Sequence, residues 1–71
     1  MEDIKEILAR NIRLERNKKN LSQEDLADLA GLDRTYISGI ERGIRNPTIT
    51  VLAKCAYALN VSCATLLDAD D

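Results

Sequence analysis

The feature that most restricts the fold of this chain is a set of small and apolar residues at fixed spacing near its centre. Gln23, Ala27 and Gly31 are four residues apart, and Ile37 and Ile40 follow at helical spacing. A small Ala27 allows a second helix to pass close over the first, and Gly31 supplies the positive φ that a sharp turn needs. The two isoleucines would anchor the second helix to the first. The spacing therefore predicts two short helices crossing at a steep angle, over about 22–41.

Capping residues divide the rest of the chain into helices. Five polar residues precede apolar residues at helical spacing, as helix N-caps do: Asp3, Ser22, Asp33, Thr48 and Ser62. The first helix is expected over 3–19, and the others follow each cap in turn. Three glycines and one proline are too few for a turn-rich β-sandwich. The sequence thus predicts one all-α domain over residues 1–71, a compact bundle of five helices.

Composition argues against several classes of protein. No apolar run approaches the ~20 residues that cross a bilayer, and no signal peptide opens the chain, so we expect a soluble cytoplasmic protein without a membrane partner. There is no histidine, and the two cysteines lack metal-site spacing. We therefore expect no metal, no cofactor and no enzymatic activity. Cys55 is interpreted as a small buried hydrophobe, and a redox role for Cys63 is a minor alternative.

The formal net charge of −2 is unevenly distributed along the chain. Residues 10–45 contain eight Lys or Arg against six acidic residues, whereas both ends of the chain are acidic. Net charge alone therefore neither supports nor excludes binding to nucleic acid.

The central residues resemble those of the Xre family of repressors, which includes the phage lambda-type repressors and Cro. The resemblance is carried by residues 21–27, 31–38, 40–43 and 45–48, within a similar region of about 11–67. Residues 33–42, which read Asp-Arg-Thr-Tyr-Ile-Ser-Gly-Ile-Glu-Arg, are most like the controller proteins of restriction–modification systems. The resemblance implies a lambda repressor-like fold whose helix-turn-helix, over about 22–41, binds double-stranded DNA.

The third predicted helix offers candidate base-reading side chains near its N-terminus. Arg34 can donate two hydrogen bonds to O6 and N7 of guanine, worth roughly 1–3 kcal/mol of discrimination. Thr35 can present its methyl group to thymine or its hydroxyl to a base, and Ser38 is a shorter reader one turn on. Tyr36 can reach a phosphate or the edge of the groove. Gly39 reads nothing itself but permits a close approach. The alternative for these side chains is a solvated helix face.

Candidate phosphate-binding residues lie at the starts of the second and fourth predicted helices. Free N–H groups and the helix dipole favour an anion at such positions. The candidates are Ser22, Gln23, Arg45, Asn46 and Thr48, with Arg13, Lys18 and Lys19 as weaker ones.

The resemblance also implies a structural brace. In the family an arginine near the end of the first helix pairs with a glutamate at the end of the third, and Arg16 and Glu41 occupy these positions. Glu15 stands where the family usually has an apolar residue, with Leu14 beside it. We therefore expect the first helix to be slightly rotated.

Dimerisation is expected because one recognition helix covers only a few base pairs. A homodimer would bind the two halves of a palindromic operator about one helical turn apart, or a multiple of it. Apolar residues after Asn60 exceed what a short terminal helix needs for its own packing. We therefore predict an isologous interface within about 57–67 that includes Val61, Ala64, Leu66 and Leu67.

The function implied by the resemblance is transcriptional regulation. Controller proteins activate and then repress their own and an endonuclease gene as dimers accumulate, and RNA polymerase is a further candidate partner. A phage-type repressor and an antitoxin remain open as alternatives. A protein-interaction module that keeps the fold without binding DNA is an alternative of another class, although the polar readers of the third helix argue against it.

Overall fold

The computed structural model describes residues 3–69 and contains five helices joined by short turns. They are α1 (Ile4–Lys18), α2 (Gln23–Ala30), α3 (Arg34–Glu41), α4 (Ile49–Leu59) and α5 (Cys63–Leu66). No strand occurs within residues 3–69, so the predicted all-α class is confirmed. Within the same range, none of the helices is both long and apolar enough to cross a membrane.

Each helix begins directly after the residue that the sequence predicted as its cap. The side chains of Asp3, Ser22, Asp33, Thr48 and Ser62 accept hydrogen bonds from backbone N–H groups two or three residues ahead. At α2 the bond is reciprocal, because the Asp25 carboxylate also accepts from the Ser22 N–H at 3.0 Å. Since such caps satisfy N–H groups that the helix itself leaves unpaired, local side-chain chemistry determines where these helices start.

Residues with positive φ end two of the helices and also lie in the turns after α1 and α3, the last being Gly43 at φ 74°. Gly31, at φ 69°, closes α2, and Asn60, at φ 58°, closes α4. Asn20, at φ 56°, lies in the turn between α1 and α2. Asparagine tolerates this left-handed region better than most residues with a side chain, which explains how it serves at two of these turns.

The core draws apolar side chains from all five helices. Its buried members are Leu8, Ile12, Leu26, Ala27, Ile37, Ile40, Cys55, Ala56, Leu59 and Leu66. The small hydrophobe predicted at Cys55 is confirmed, because this side chain is fully buried. Burial raises the pKa of the Cys55 thiol to about 11.

One predicted interface residue belongs to the core instead. Leu66 was expected on the dimer surface, but its side chain is 0% exposed and packs inside the protomer. The neighbouring Leu67 is 38% exposed. The prediction for Leu66 was therefore wrong, since α5 turns this leucine inward and the next one toward solvent.

A buried asparagine attaches α5 to α1. Asn11 is 3% exposed, and its Nδ2 donates to the carbonyl oxygens of Leu66 at 3.0 Å and Asp68 at 2.9 Å. Both amide hydrogens are thus used, and two carbonyl groups at the end of α5 gain a donor. We call this arrangement the Asn11 clamp.

The expected rotation of α1 is not found. Glu15 is 8% exposed whereas Leu14 is 39% exposed, so the glutamate keeps the inward position. Its carboxylate forms an ion pair with the Lys18 ammonium at 3.3 Å. The aliphatic part of the Glu15 side chain occupies the position of an apolar residue. The polar end is therefore accommodated without turning the helix.

Candidate nucleic-acid interface

The helix-turn-helix predicted over 22–41 is formed by α2, the turn at Gly31 and α3. Ala27 is 2% exposed where the two helices pack, and Ile37 and Ile40 are almost completely buried. One side of α3 is thereby fixed to the core. Its opposite side, which carries Arg34 and Thr35, remains exposed to solvent.

The N-terminus of α3 is organised by its cap. Asp33 Oδ1 accepts from the Thr35 backbone N–H at 2.8 Å and from the Thr35 hydroxyl at 2.6 Å. These two bonds, the hydroxyl bond first, hold the pKa of Asp33 below its ordinary value of 3.8. Because the hydroxyl proton is donated within the protein, Thr35 has its methyl group and an oxygen lone pair left for a ligand.

Two other candidate residues meet on α3. The Arg45 guanidinium carbon lies 5.1 Å from the centre of the Tyr36 ring, a cation–π distance. The stem of Arg45 crosses Gly39 so closely that a Cβ at residue 39 would overlap Arg45 Cγ. The close approach that the sequence allowed at Gly39 is therefore made by the chain itself.

The candidate phosphate-binding groups occupy the starts of α2 and α4. The Ser22 hydroxyl accepts from the Asp25 N–H at 2.9 Å, and the Thr48 hydroxyl accepts from the Val51 N–H at 3.2 Å. Each hydroxyl proton remains for an outside acceptor. Glu24 and Asp25 lie in the first turn of α2, whereas the first turn of α4 carries no acidic residue. The start of α4, with exposed Asn46 beside it, is therefore the more favourable of the two for an anion.

The Arg16–Glu41 pair lies behind this surface. Arg16 Nε and Nη2 donate to Glu41 Oε2 and Oε1 at 2.6 and 2.9 Å, a two-pronged ion pair. Glu41 is only 3% exposed. The hydrogen bond to Glu41 raises the pKa of Arg16, outweighing the opposite effect of desolvation.

Further bonds extend this pair into a network of three helices. Arg16 Nη1 donates to the carbonyl oxygen of Leu21 at 2.8 Å, and Gln23 Nε2 donates to Glu41 Oε1 at 3.2 Å. Arg13 Nη1 donates to the carbonyl oxygen of Glu41 at 2.8 Å, at the C-terminal end of α3. We call these residues the Glu41 brace: Arg13, Arg16, Gln23 and Glu41.

The brace changes the interpretation of two phosphate candidates. Arg13 is committed to the end of α3, away from that helix's exposed N-terminus. Gln23 keeps one amide hydrogen, because the other is donated to Glu41. Of the remaining weaker candidates, Lys18 pairs with Glu15, and Lys19 is exposed at the C-cap of α1.

The predicted dimer surface is partly exposed. Ala64 and Leu67 lie on the outside of α5, and Val61 is half-buried before it. Tyr57, at the end of α4, is 87% exposed. Because Leu66 is buried, the apolar residues of this region that we consider for a dimer interface are Tyr57, Val61, Ala64 and Leu67.

Comparison with known proteins identifies the family. A helix-turn-helix family model matches residues 12–66. The chain belongs to this helix-turn-helix family. The resemblance to Xre-type repressors, and through residues 33–42 to controller proteins, is confirmed by the family match and by similar controller proteins. The control protein C.SmaI of Serratia marcescens is 57% identical over 65 residues, covering 92% of this chain and 77% of that protein.

Solved structures of similar sequence share the fold. The restriction–modification controller protein C.AhdI from Aeromonas hydrophila is 42% identical with a TM-score of 0.85, over 87% of this chain and 94% of that one. SinR, a master regulator for biofilm formation solved in complex with DNA, is 40% identical with a TM-score of 0.82. That match covers 86% of this chain and 98% of the SinR chain in that structure.

Three residues that support α3 or α5 through hydrogen bonds were not predicted to do so from the sequence. Asn11 falls at an inward position of the α1 stripe formed by Ile4, Ile7, Leu8 and Ile12, so the pattern itself could have marked it as buried. The bonds of Arg13 and Gln23 to Glu41 have no local signal. They depend on how the helices are placed in three dimensions.

Proposed function

We propose that the protein is a homodimeric transcriptional regulator that binds double-stranded DNA sequence-specifically, of the restriction–modification controller type. The observation that carries this proposal is the two-sidedness of α3. One side is fixed by Ile37, Ile40 and the buried carboxylate of Glu41, and the other presents Arg34 and Thr35 to solvent. A rigid helix with free polar readers on its outer side is what major-groove recognition requires.

In the proposed complex the N-terminus of α3 enters the major groove. Arg34 donates to a guanine edge, and the Thr35 methyl group contacts thymine or its oxygen accepts from a base amino group. The starts of α2 and α4, with Ser22, Gln23 and Thr48, donate to phosphates on either side of the groove. Phosphate contacts orient the helix, and base contacts supply the sequence preference.

A second protomer would duplicate these contacts on the other half of a palindromic operator. We place the two-fold interface on the exposed apolar residues Tyr57, Ala64 and Leu67 and the half-buried Val61. This surface is formed by the end of α4 and by α5, and is therefore distinct from the side chains of α3 that are proposed to contact bases. Binding therefore depends on protein concentration twice, through dimer formation and through operator occupancy.

The regulatory scheme follows from the similarity to controller proteins. As dimers accumulate in the cytoplasm, they fill first one operator site and then a second. The first event recruits RNA polymerase to the controller and endonuclease genes, and the second blocks it. C.SmaI and C.AhdI, both named as controller proteins, support this assignment.

The deciding experiment measures binding to the duplex just upstream of the protein's own gene, over a series of salt concentrations. The wild type should bind this duplex more tightly than a shuffled one of equal length, with affinity that falls as salt rises. Arg34→Ala should lose about fivefold or more of that preference. Lys54→Ala, which removes the same charge from an exposed position on α4, is the matched control.

Two outcomes would contradict the proposal at different levels. If the wild type shows no salt-sensitive preference for any duplex, DNA regulation is wrong and the protein-interaction alternative gains. If Arg34→Ala remains as selective as Lys54→Ala, DNA binding stands, but the base contact assigned to Arg34 does not.

A further inference from the structure

The position of Gly39 on α3 is at odds with its burial. Residue 39 is one helical turn beyond Thr35 and points away from Ile37 and Ile40, so it belongs to the outer side of the helix. Gly39 is nevertheless buried. The covering atoms come from Arg45, whose Cγ, Nε and Cδ are the nearest to the place that a Cβ would occupy. Arg45 therefore lies across the outer side of α3.

The course of Arg45 is fixed at both ends. The backbone N–H groups of Ile44 and Arg45 both donate to the carbonyl oxygen of Gly39, at 3.1 and 3.2 Å, which folds the turn back against the helix. At the other end the guanidinium rests over the Tyr36 ring. Arg45 as a whole is exposed, so these contacts rather than burial restrict its side chain and reduce the rotational freedom that binding would otherwise remove.

We propose that Arg45 reads a base edge in the major groove and that Gly39 is the positioning residue that makes this possible. The inference rests on the proposed DNA binding and deepens it. Arg45 was predicted from sequence as a phosphate contact, because it borders the start of α4. Its side chain instead shares the outer side of α3 with Thr35, which is the side that faces the base pairs.

The chemistry of the guanidinium specifies the ligand. A planar fork with parallel N–H donors matches O6 and N7 of guanine, and stacking on Tyr36 leaves the edge of the fork free to donate. Any residue with a Cβ at position 39 would push the stem of Arg45 off the helix. The proposed reading unit therefore consists of Gly39, Tyr36 and Arg45 together.

The first test separates a base contact from a phosphate contact. The duplex that the wild type selects from a randomised pool is compared with a shuffled duplex of the same composition. A base contact predicts that Arg45→Ala lowers the ratio of the two affinities by about fivefold or more. A phosphate contact predicts that both affinities fall by the same factor and the ratio stays constant. Lys54→Ala controls for the loss of one positive charge.

The second test asks whether Gly39 acts through Arg45. Gly39→Ala should lower the specificity ratio in the wild-type background and have no effect in the Arg45→Ala background. A methyl group that simply collided with DNA would lower affinity in both backgrounds. Alanine favours a helix more than glycine does, so thermal unfolding should show a variant at least as stable as the wild type.

The outcomes distinguish this inference from the function on which it rests. If the wild type selects no sequence from the pool, the proposed function fails. If it selects one, but Arg45→Ala leaves the ratio unchanged or Gly39→Ala acts equally in both backgrounds, only the present inference is overturned. A falling ratio for Arg45→Ala, together with a Gly39→Ala effect that disappears in the double variant, establishes it.

Discussion

The middle and the C-terminal half of α1 hold different parts of the protein by different chemistry. Its C-terminal half holds α3 through the Glu41 brace, in which a buried carboxylate is paired with the Arg16 guanidinium. Its central residue, Asn11, holds α5 through the Asn11 clamp, a neutral amide donating to two carbonyl oxygens. One helix thus supports the proposed DNA-reading surface with charge and the proposed dimer surface without it.

The difference lies in what each arrangement leaves behind when it is broken. Removing one member of a buried ion pair leaves a desolvated charge, which is far more costly than a lost neutral hydrogen bond. Replacing one member of the Arg16–Glu41 pair should therefore lower the free energy of unfolding strongly, and replacing both members together should lower it less. Substitution of Asn11 in the clamp should lower it by a smaller amount.

The largest expected effect is that of Arg16→Ala. The Glu41 carboxylate, which is 3% exposed in the wild type, would lose its ion-pair partner and keep Gln23 as its side-chain donor, so we expect a loss of roughly 3–5 kcal/mol in the free energy of unfolding. For a 71-residue domain this is a large share of the total. Urea unfolding followed by circular dichroism measures it. A double variant, Arg16→Met with Glu41→Leu, should be less destabilised than Arg16→Ala, and the reverse order would contradict the brace.

The next largest effect is expected at the end of α5, where two adjacent leucines, Leu66 in the helix and Leu67 at its C-cap, form a matched pair for substitution. Leu66→Ala removes a fully buried side chain and should cost about 2–5 kcal/mol of unfolding free energy. Leu67→Ala should change that free energy little at protein concentrations where the monomer prevails, but weaken dimerisation measured by sedimentation equilibrium. Equal dimerisation by Leu67→Ala and the wild type would remove Leu67 from the interface.

The Asn11 clamp should show an intermediate effect. Asn11→Leu keeps the branching of the side chain but leaves the carbonyl groups of Leu66 and Asp68 without this donor, so a loss of about 1–3 kcal/mol in unfolding free energy is expected. Amide hydrogen exchange should quicken in α5 more than in α3. Faster exchange in α3 than in α5 would mean that the Asn11 clamp and the Glu41 brace do not act separately.

The smallest expected effect concerns pH at the cap of α3. Bonds from Thr35 lower the pKa of Asp33 in the folded state, so its stabilising contribution is present above pH about 4 and is lost as pH falls through the lowered pKa. Asp33→Asn preserves the cap but cannot titrate. Its acid unfolding curve should therefore be flatter than that of the wild type, and identical curves would show that Asp33 does not contribute.

The sequence predicted the helices well because their signals are local. Each of the five caps lies next to the helix that it starts, and the positive φ of Gly31 depends on a turn of a few residues. The pairing of Arg16 with Glu41 came from the family resemblance, since 25 residues separate them. Nothing in the spacing alone selects this pair among the charged residues.

The missed features depend on tertiary placement. In a four-residue helix such as α5, periodicity cannot decide which of Leu66 and Leu67 faces inward, because little more than one turn is available. The path of Arg45 over Gly39 depends on how the turn after α3 folds back. The direction of these side chains therefore had to come from the fold.

The burial of Cys55 gives the protein an internal reporter of its own opening. A thiol reagent attacks the thiolate and needs access to it, and Cys55 is 0% exposed with a pKa raised to about 11. The half-buried Cys63 lies at the start of α5 instead. Labelling of Cys63 would therefore precede that of Cys55. The rate of Cys55 labelling would measure how often α4 separates from the core. Operator DNA or dimer formation should slow that second rate without any probe having been introduced.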